Sequence, residues 1–373
     1  MSTVTGGRKC EVCVNIVLNR SQFLKVPMET LVDDVGSFPF PEYVDSGVFE
    51  KAYRAARKAI IEGKRLDKDE FLLNNFSRIV MSSFVKKVET GLDIVNYPQH
   101  YDMEKQVADE VRESMNEGTY LVNPERAILP EVRVIGDEAK RFCEETGGKV
   151  RLKVCIIGPM ELYLKEIGSV VHKDVLQAFA ENVRQFAKNA ILNSKYVETV
   201  TVSLDEPSFG FQDILTDRET ILSTLETAFN FDGVTRQIHL HSPSRIADLL
   251  SVRNIDVLSI EYAATPKNID SVPKGILDQA DKRVRVGVSR TDINSIVAEL
   301  YDRGITRPSA DQMVEDERII GKRFETAWNK YGDRMTFTGP DCGLGGWPTQ
   351  EAAQLLLART VRAVKAARNR LKT

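Results

Sequence analysis

Four histidines occur in 373 residues, and two of them, His239 and His241, stand two positions apart in the run IHLH at residues 238–241. On an extended strand that spacing points both imidazoles to one side. Other residues with lone pairs to offer a cation close similar short runs: Glu261 ends residues 255–262, Asp205 and Glu206 end residues 198–207, and Asp341 and Cys342 end residues 334–342. Two imidazoles, the Glu261 carboxylate and the Cys342 thiolate make four nitrogen, oxygen and sulfur donors, a set that suits tetrahedral Zn²⁺. The plain alternative is that the histidines are polar groups hydrogen-bonded at strand ends and that Cys342 is a small buried hydrophobe.

Such donors meet only if the runs that carry them lie side by side. Eight short apolar, β-branched runs, at 31–37, 92–98, 153–159, 198–207, 235–243, 255–262, 283–290 and 334–342, alternate with stretches of helical spacing. Parallel strands covered on both faces read in this way, and eight units favour a (β/α)8 barrel of the TIM type, although periodicity alone does not separate a closed sheet from an open doubly wound one. Helices are expected over 48–61, 173–193 and 349–370, with Asp45 or Ser46 capping the first. The connection 38–91 is long enough for two helices, and 99–152 for one helix and an irregular stretch around Pro124 and Pro130. The domain reading is an N-terminal extension, 1–30, followed by one catalytic barrel, 31–373. In a barrel the C-terminal strand ends build the active site, which is where these donors fall.

Composition narrows the partners. With 51 basic and 54 acidic residues interspersed, the net charge is −3, and there is no basic stripe to hold nucleic acid or an anionic membrane. The 42% hydrophobic content is that of a globular chain. Residues 10–18 (CEVCVNIVL) are apolar but far short of the roughly 20 residues of a spanning helix. Five cysteines are too few for a disulfide framework, so a cytoplasmic location is expected. Cys10 and Cys13 form a single CxxC in an apolar run and are read as structural.

Taken in order, the motifs resemble a family. VGSFP at 35–39, GLDIV at 91–95 with a Pro and the pair Asp102–Met103 after it, IGP at 157–159, LDEP at 204–207, IHLH at 238–241, LSIEY at 258–262 and PDCGL at 340–344 are similar to the C-terminal catalytic barrel of cobalamin-independent methionine synthases, within the uroporphyrinogen decarboxylase-like barrel superfamily. The resemblance implies zinc on His239, His241, Glu261 and Cys342, with His241 standing where the family has Cys. It also implies that Glu261 yields its place to a substrate sulfur, and that Asp205 and Ser37 hold the amine of an amino-acid thiol. Tyr97, expected among the substrate-binding residues, stands before Pro98 where the family has a Glu that clamps the ammonium group, an ion pair that a neutral phenol does not form. Lys165 lies near the place of a Trp that stacks on a pterin, and the chain's tryptophans, Trp328 and Trp347, lie elsewhere.

The implied activity is methyl transfer to a thiol, homocysteine foremost. Among short core forms of the family, the expected donor is methylcobalamin or a corrinoid protein in preference to methyltetrahydrofolate. Methylation of another thiol such as coenzyme M, a metal-free decarboxylase using arginines, and a non-catalytic partner of a corrinoid protein are the alternatives. Glu206 is read as supporting the site or capping a turn, His100 as a surface residue near the rim, and Gly343, Gly345 and Gly346 as a tight turn beside the metal. No role is assigned to His172.

Overall fold

The computed structural model describes residues 30–212 and 214–371; Cys10 and Cys13 lie outside them. Eight strands form one sheet: β1 (Leu31–Val32), β2 (Val95–Asn96), β3 (Val150–Ile157), β4 (Val197–Asp205), β5 (Thr235–Leu240), β6 (Val257–Ile260), β7 (Arg283–Ser289) and β8 (Met335–Pro340). All neighbours pair in parallel, in the order β1-β8-β7-β6-β5-β4-β3-β2. Its two ends meet. Asp33 and Ile94 form a parallel bridge, the Asp93 and Ile94 amides donate to the Val32 carbonyl at 2.9 and 3.2 Å, and the Asn96 amide donates to Asp34 Oδ1 at 2.8 Å. The sheet is thus a (β/α)8 barrel and not an open doubly wound sheet.

Every expected run overlaps a strand, residues 38–91 hold the two expected helical stretches, and residues 99–152 hold one helix more than expected. Residues 38–91 contain Ser46–Ile61, capped by Asp45 Oδ1 on the Val48 amide, and a second helical stretch in which a π turn at Leu73–Ser77 precedes Arg78–Val88. Residues 99–152 contain two helices, Met103–Asn116 and Pro130–Thr146. The expectation of an irregular stretch at Pro130 is corrected here, because this proline opens a helix: at the first position its fixed φ suits the turn and its missing N–H would have had no partner.

The inner faces of the strands also depart from expectation. Val202, Leu204, Ile238, Leu240, Leu258, Ile260, Val284 and Val286 pack outward with helix residues such as Phe179, Phe186, Leu225 and Phe324 in the main core. The alternate positions, Lys153, Cys155, Thr201, Ser203, Asp205, Gln237, His239, Ser259 and Arg285, are buried and all but Cys155 are polar. The runs that read as continuously apolar therefore alternate, with a polar barrel interior above a small apolar floor of Ile94, Val257 and Phe337. Asp33 organises this interior: its Oδ2 accepts from Lys153 Nζ at 2.8 Å and its Oδ1 from Arg285 Nε at 2.6 Å, all three side chains being at most 1% exposed. The same two cations also act on the buried carboxyl of Asp205.

Removing one partner from a buried ion cluster strands the others. Asp33→Ala should cost roughly 3–5 kcal/mol in urea denaturation. A loss below about 1 kcal/mol would mean that the two cations are compensated in another way.

Candidate metal centre

The register of the barrel explains why the donors converge. Asp205 pairs with His239, His239 with Ser259, and Ser259 with Arg285, so these side chains form one layer across β4 to β7. His241 and Glu261 each lie one residue beyond the end of their strand, and Cys342 two beyond β8. One ligand atom from each of His239, His241, Glu261 and Cys342 lies within 4.8 Å of the others. His241 Nε2 is 3.5 Å from Glu261 Oε1 and 3.6 Å from Cys342 Sγ. Bond lengths of 2.0–2.3 Å to a tetrahedral ion imply donor separations of about 3.3–3.8 Å, so these spacings suit Zn²⁺.

The hydrogen bonding suits it too. Ser259 Oγ lies 3.1 Å from His239 Nδ1, while His239 Nε2 is buried without a hydrogen-bond partner. A ring nitrogen held by one polar neighbour and left open on the other side is the pattern of a metal-ligating imidazole. Burial holds both imidazoles below their ordinary pKa, His239 furthest, with His241, Arg285 and Lys153 adding to the effect there. Both rings are neutral at pH 7, with lone pairs free. Burial raises Glu261 to about 8, with Asp341 and Asp292 contributing, and it raises the Cys342 thiol as well. A divalent cation among them would reverse both shifts, since coordination favours the deprotonated ligands.

Beside these donors opens a cavity of about 530 Å³, lined among others by Ser37, Phe40, Gln99, His100, Asp205, His239, His241, Cys342 and Gly343. Asp205 accepts from Cys155 Sγ at 3.0 and 3.1 Å and from Ser203 Oγ at 3.1 Å, and burial raises its pKa to about 6. Ser37 faces the cavity and also holds the turn after Cys342, its Oγ accepting from the Gly345 amide at 3.1 Å and its carbonyl from the Leu344 amide at 2.7 Å. A Cβ on Gly343 would overlap that hydroxyl, so the glycine permits close approach.

Two sequence readings change, those of Tyr97 and His100, and that of Glu206 narrows to capping. Tyr97 is fully buried, and its hydroxyl is shared between Gln106 Oε1 at 2.9 Å and the Cys155 carbonyl at 2.8 Å, which leaves it behind the cavity wall and not available to a substrate. Gln99, two residues on, lines the cavity. With φ of 50°, rare outside glycine, Gln99 turns its amide nitrogen to the Tyr97 hydroxyl and the Cys155 carbonyl, 3.3 Å from each, and seats its Oε1 against Gly36. His100 is not a surface residue: it stacks on Phe40, with its ring nitrogens 3.1 Å from the Phe38 carbonyl and 2.8 Å from Ser83 Oγ. Glu206 caps the helix Pro159–Glu166, accepting from the Met160 and Glu161 amides at 2.9 and 2.7 Å. Ser259 and Cys155 carried a signal in their strand parity with Glu261 and Ile157; Gln99 carried none, because its orientation comes from an unusual φ.

No family model and no curated protein matches this sequence. Solved structures do. A B12-independent methionine synthase from Shewanella sp. W3-18-1, determined with selenomethionine, superposes with a TM-score of 0.56 at 14% identity, over 91% of this chain and 98% of that one. A candidate vitamin-B12-independent methionine synthase from Listeria monocytogenes gives 0.51 at 17% identity, over 91% and 98%. The likeness is one of fold. At these identities it establishes the barrel fold alone, and the chemistry has to come from the residues.

His100 supplies a pH test. Burial lowers its imidazole pKa to about 3, against about 6.5 in an unfolded chain. Below about 6.5 the unfolded chain takes up a proton that the folded one refuses, so the contribution of His100 is intact at higher pH and is lost on acidification. At pH 5 this share amounts to about 2 kcal/mol. His100→Gln should flatten the fall in urea midpoint between pH 7 and 5 by that amount, whereas an unaltered slope would show that the folded imidazole titrates freely.

Proposed function

We propose that this chain is a zinc-dependent methyltransferase that moves a methyl group to a thiol, with homocysteine as the preferred acceptor and a methylated corrinoid, free or protein-borne, as the preferred donor. The observation that carries the reading is the convergence of His239, His241, Glu261 and Cys342, with a ligand atom of each within 4.8 Å of the others and Nε2 of His239 left without a hydrogen-bond partner. When bound, the ion supplies the positive charge that keeps an acceptor sulfur anionic at neutral pH, well below a free thiol's pKa of about 8.5.

The residues of the chain do the rest. Ser259 Oγ holds Nδ1 of His239, which leaves Nε2 as the ring nitrogen without a hydrogen-bond partner. Glu261 would hold the ion as the oxygen donor of the set, at the position an acceptor sulfur would take. Asp205, ionised above about 6, faces the cavity with a carboxylate for the acceptor's ammonium group, and Gln99 Oε1 adds a neutral oxygen on the Cys155 side. Cys155 links these two acceptors, since its Sγ donates to Asp205 and its carbonyl accepts from Gln99. Among the described lining residues the cationic one is Lys105, 3.4 Å from Glu50 Oε1, which supports an amine-bearing acceptor over a sulfonate or a polycarboxylate.

Two observations support a corrinoid over a folate donor. Trp347 is buried with Nε1 on the Thr291 carbonyl at 3.1 Å, and Trp328 packs on Phe324, so neither forms a cavity platform. Lys165, at the position expected for a stacking ring, lies 3.7 Å from Glu161.

Purified protein should bind close to one zinc per chain, and Cys342→Ala should lose most of it; undiminished zinc in that variant would remove Cys342 from the set. In assays with homocysteine, methylcobalamin should support turnover far better than methyltetrahydrofolate. Efficient use of the folate would overturn the donor assignment.

A further inference from the structure

The donors come from β5, β6 and β8, and β7 separates the last two. Nothing in the pairing of β6 with β7 or β7 with β8 fixes the distance between Glu261 and Cys342, both of which lie beyond the strand ends. Two side chains outside the ligand set span the gaps. Asp341, 1% exposed, accepts three backbone N–H groups in a row: Tyr262 and Ala263 on Oδ1 at 2.9 and 3.0 Å, and Ala264 on Oδ2 at 2.7 Å. It is bonded in sequence to Cys342 and grips the three residues that follow Glu261. It reaches them by crossing β7 at Gly287, where a Cβ would overlap both its carboxylate and its Cα. Asn268, in the short turn Pro266–Ile269 and 8% exposed, divides its amide between the carbonyls of His241 at 3.1 Å and Glu261 at 3.0 Å.

We infer that Asp341 and Asn268 are positioning residues that form a bracket setting the mutual spacing of His241, Glu261 and Cys342. The inference rests on the metal centre proposed above. Asn268 ties the end of β5 to the end of β6, and Asp341 ties the end of β6 to the turn after β8, with Gly287 as the gap through which the second tie passes. Five hydrogen bonds to main-chain groups thus hold three donor-bearing segments, and neither side chain is spent on the ligand atoms. Held in this way, the donors keep the spacing of a small cation without relying on the cation to gather them, and affinity gains what gathering would otherwise cost.

The test uses the full chain and the metals alone. Zinc affinity by competition with a chromogenic chelator, and the thiolate-to-metal absorption of the Co²⁺ form, are measured for the unaltered protein, Asn268→Ala, Asp341→Asn and Thr224→Val. The last is a control on the helix Arg218–Ala228, remote from the donors, where a buried hydroxyl donates to the Thr220 carbonyl at 2.7 Å. Metal-free thermal midpoints are recorded for all four. Zinc affinity should fall about 10- to 100-fold in Asn268→Ala and Asp341→Asn. It should stay within about twofold of the unaltered protein in Thr224→Val, and the Co²⁺ band should weaken or move only in the two bracket variants. If one bracket variant fails to fold, the other decides alone. Wild-type affinity and spectrum in a folded bracket variant overturn the bracket while leaving the metal centre in place, as does an affinity loss matched by Thr224→Val at equal loss of midpoint. Absence of zinc binding by the unaltered protein overturns both the centre and the bracket.

Discussion

A ring nitrogen shut away from water and offered no hydrogen is the constraint on which this site turns. The Nε2 of His239 is such an atom. Burial disfavours the imidazolium, and the buried cations Arg285 and Lys153 disfavour it further, so protonation is a poor way for the ring to satisfy itself. An electron-pair acceptor answers the need better, and the nearest groups are a second imidazole, a carboxylate and a thiol, all donors themselves. A cation among them satisfies every one at once. Removing any single donor therefore alters more than one bond, because the remaining ones keep their desolvation and lose their common partner.

The polar interior is what allows donors so deep in a barrel. A lining of valine and leucine would give the imidazoles no hydrogen-bonded support, whereas here the layer of Asp205, His239, Ser259 and Arg285 continues down to Asp33 and Lys153. Stability is left to the other face of the same strands, where branched side chains meet the helices. Strands β4 to β7 thus divide their work by parity: apolar residues at even positions from Val202 to Val288 pack in the main core, and odd positions turn to the barrel interior.

That division explains what the sequence made legible. His239 and His241 share a parity, and their shared face follows from strand geometry alone; eight runs of similar length point to the barrel before any contact is known. The polar lining was harder to see, because a lone Lys153 or Arg285 amid valines reads as an interruption until the partner carboxylate, more than a hundred residues away, is in place. Pro130 misled because proline marks both the end of regular structure and the first turn of a helix, and only the fold tells them apart. Gln99 lines the cavity and Tyr97 does not, an arrangement that goes with one left-handed backbone angle which no pattern of residue types announces. Asn268 lies in a turn seven residues past Glu261, and its two carbonyl partners belong to different strands.

Ser37 carries one further consequence. Its hydroxyl looks into the acceptor cavity and at the same time receives the Gly345 amide, while its carbonyl receives that of Leu344, in the turn that follows Cys342. A molecule that engages this hydroxyl presses on the mooring of the sulfur donor. The same residue thus borders the cavity and moors the turn that carries Cys342, so a group that competed with the Gly345 amide for this hydroxyl would loosen one of that turn's two ties.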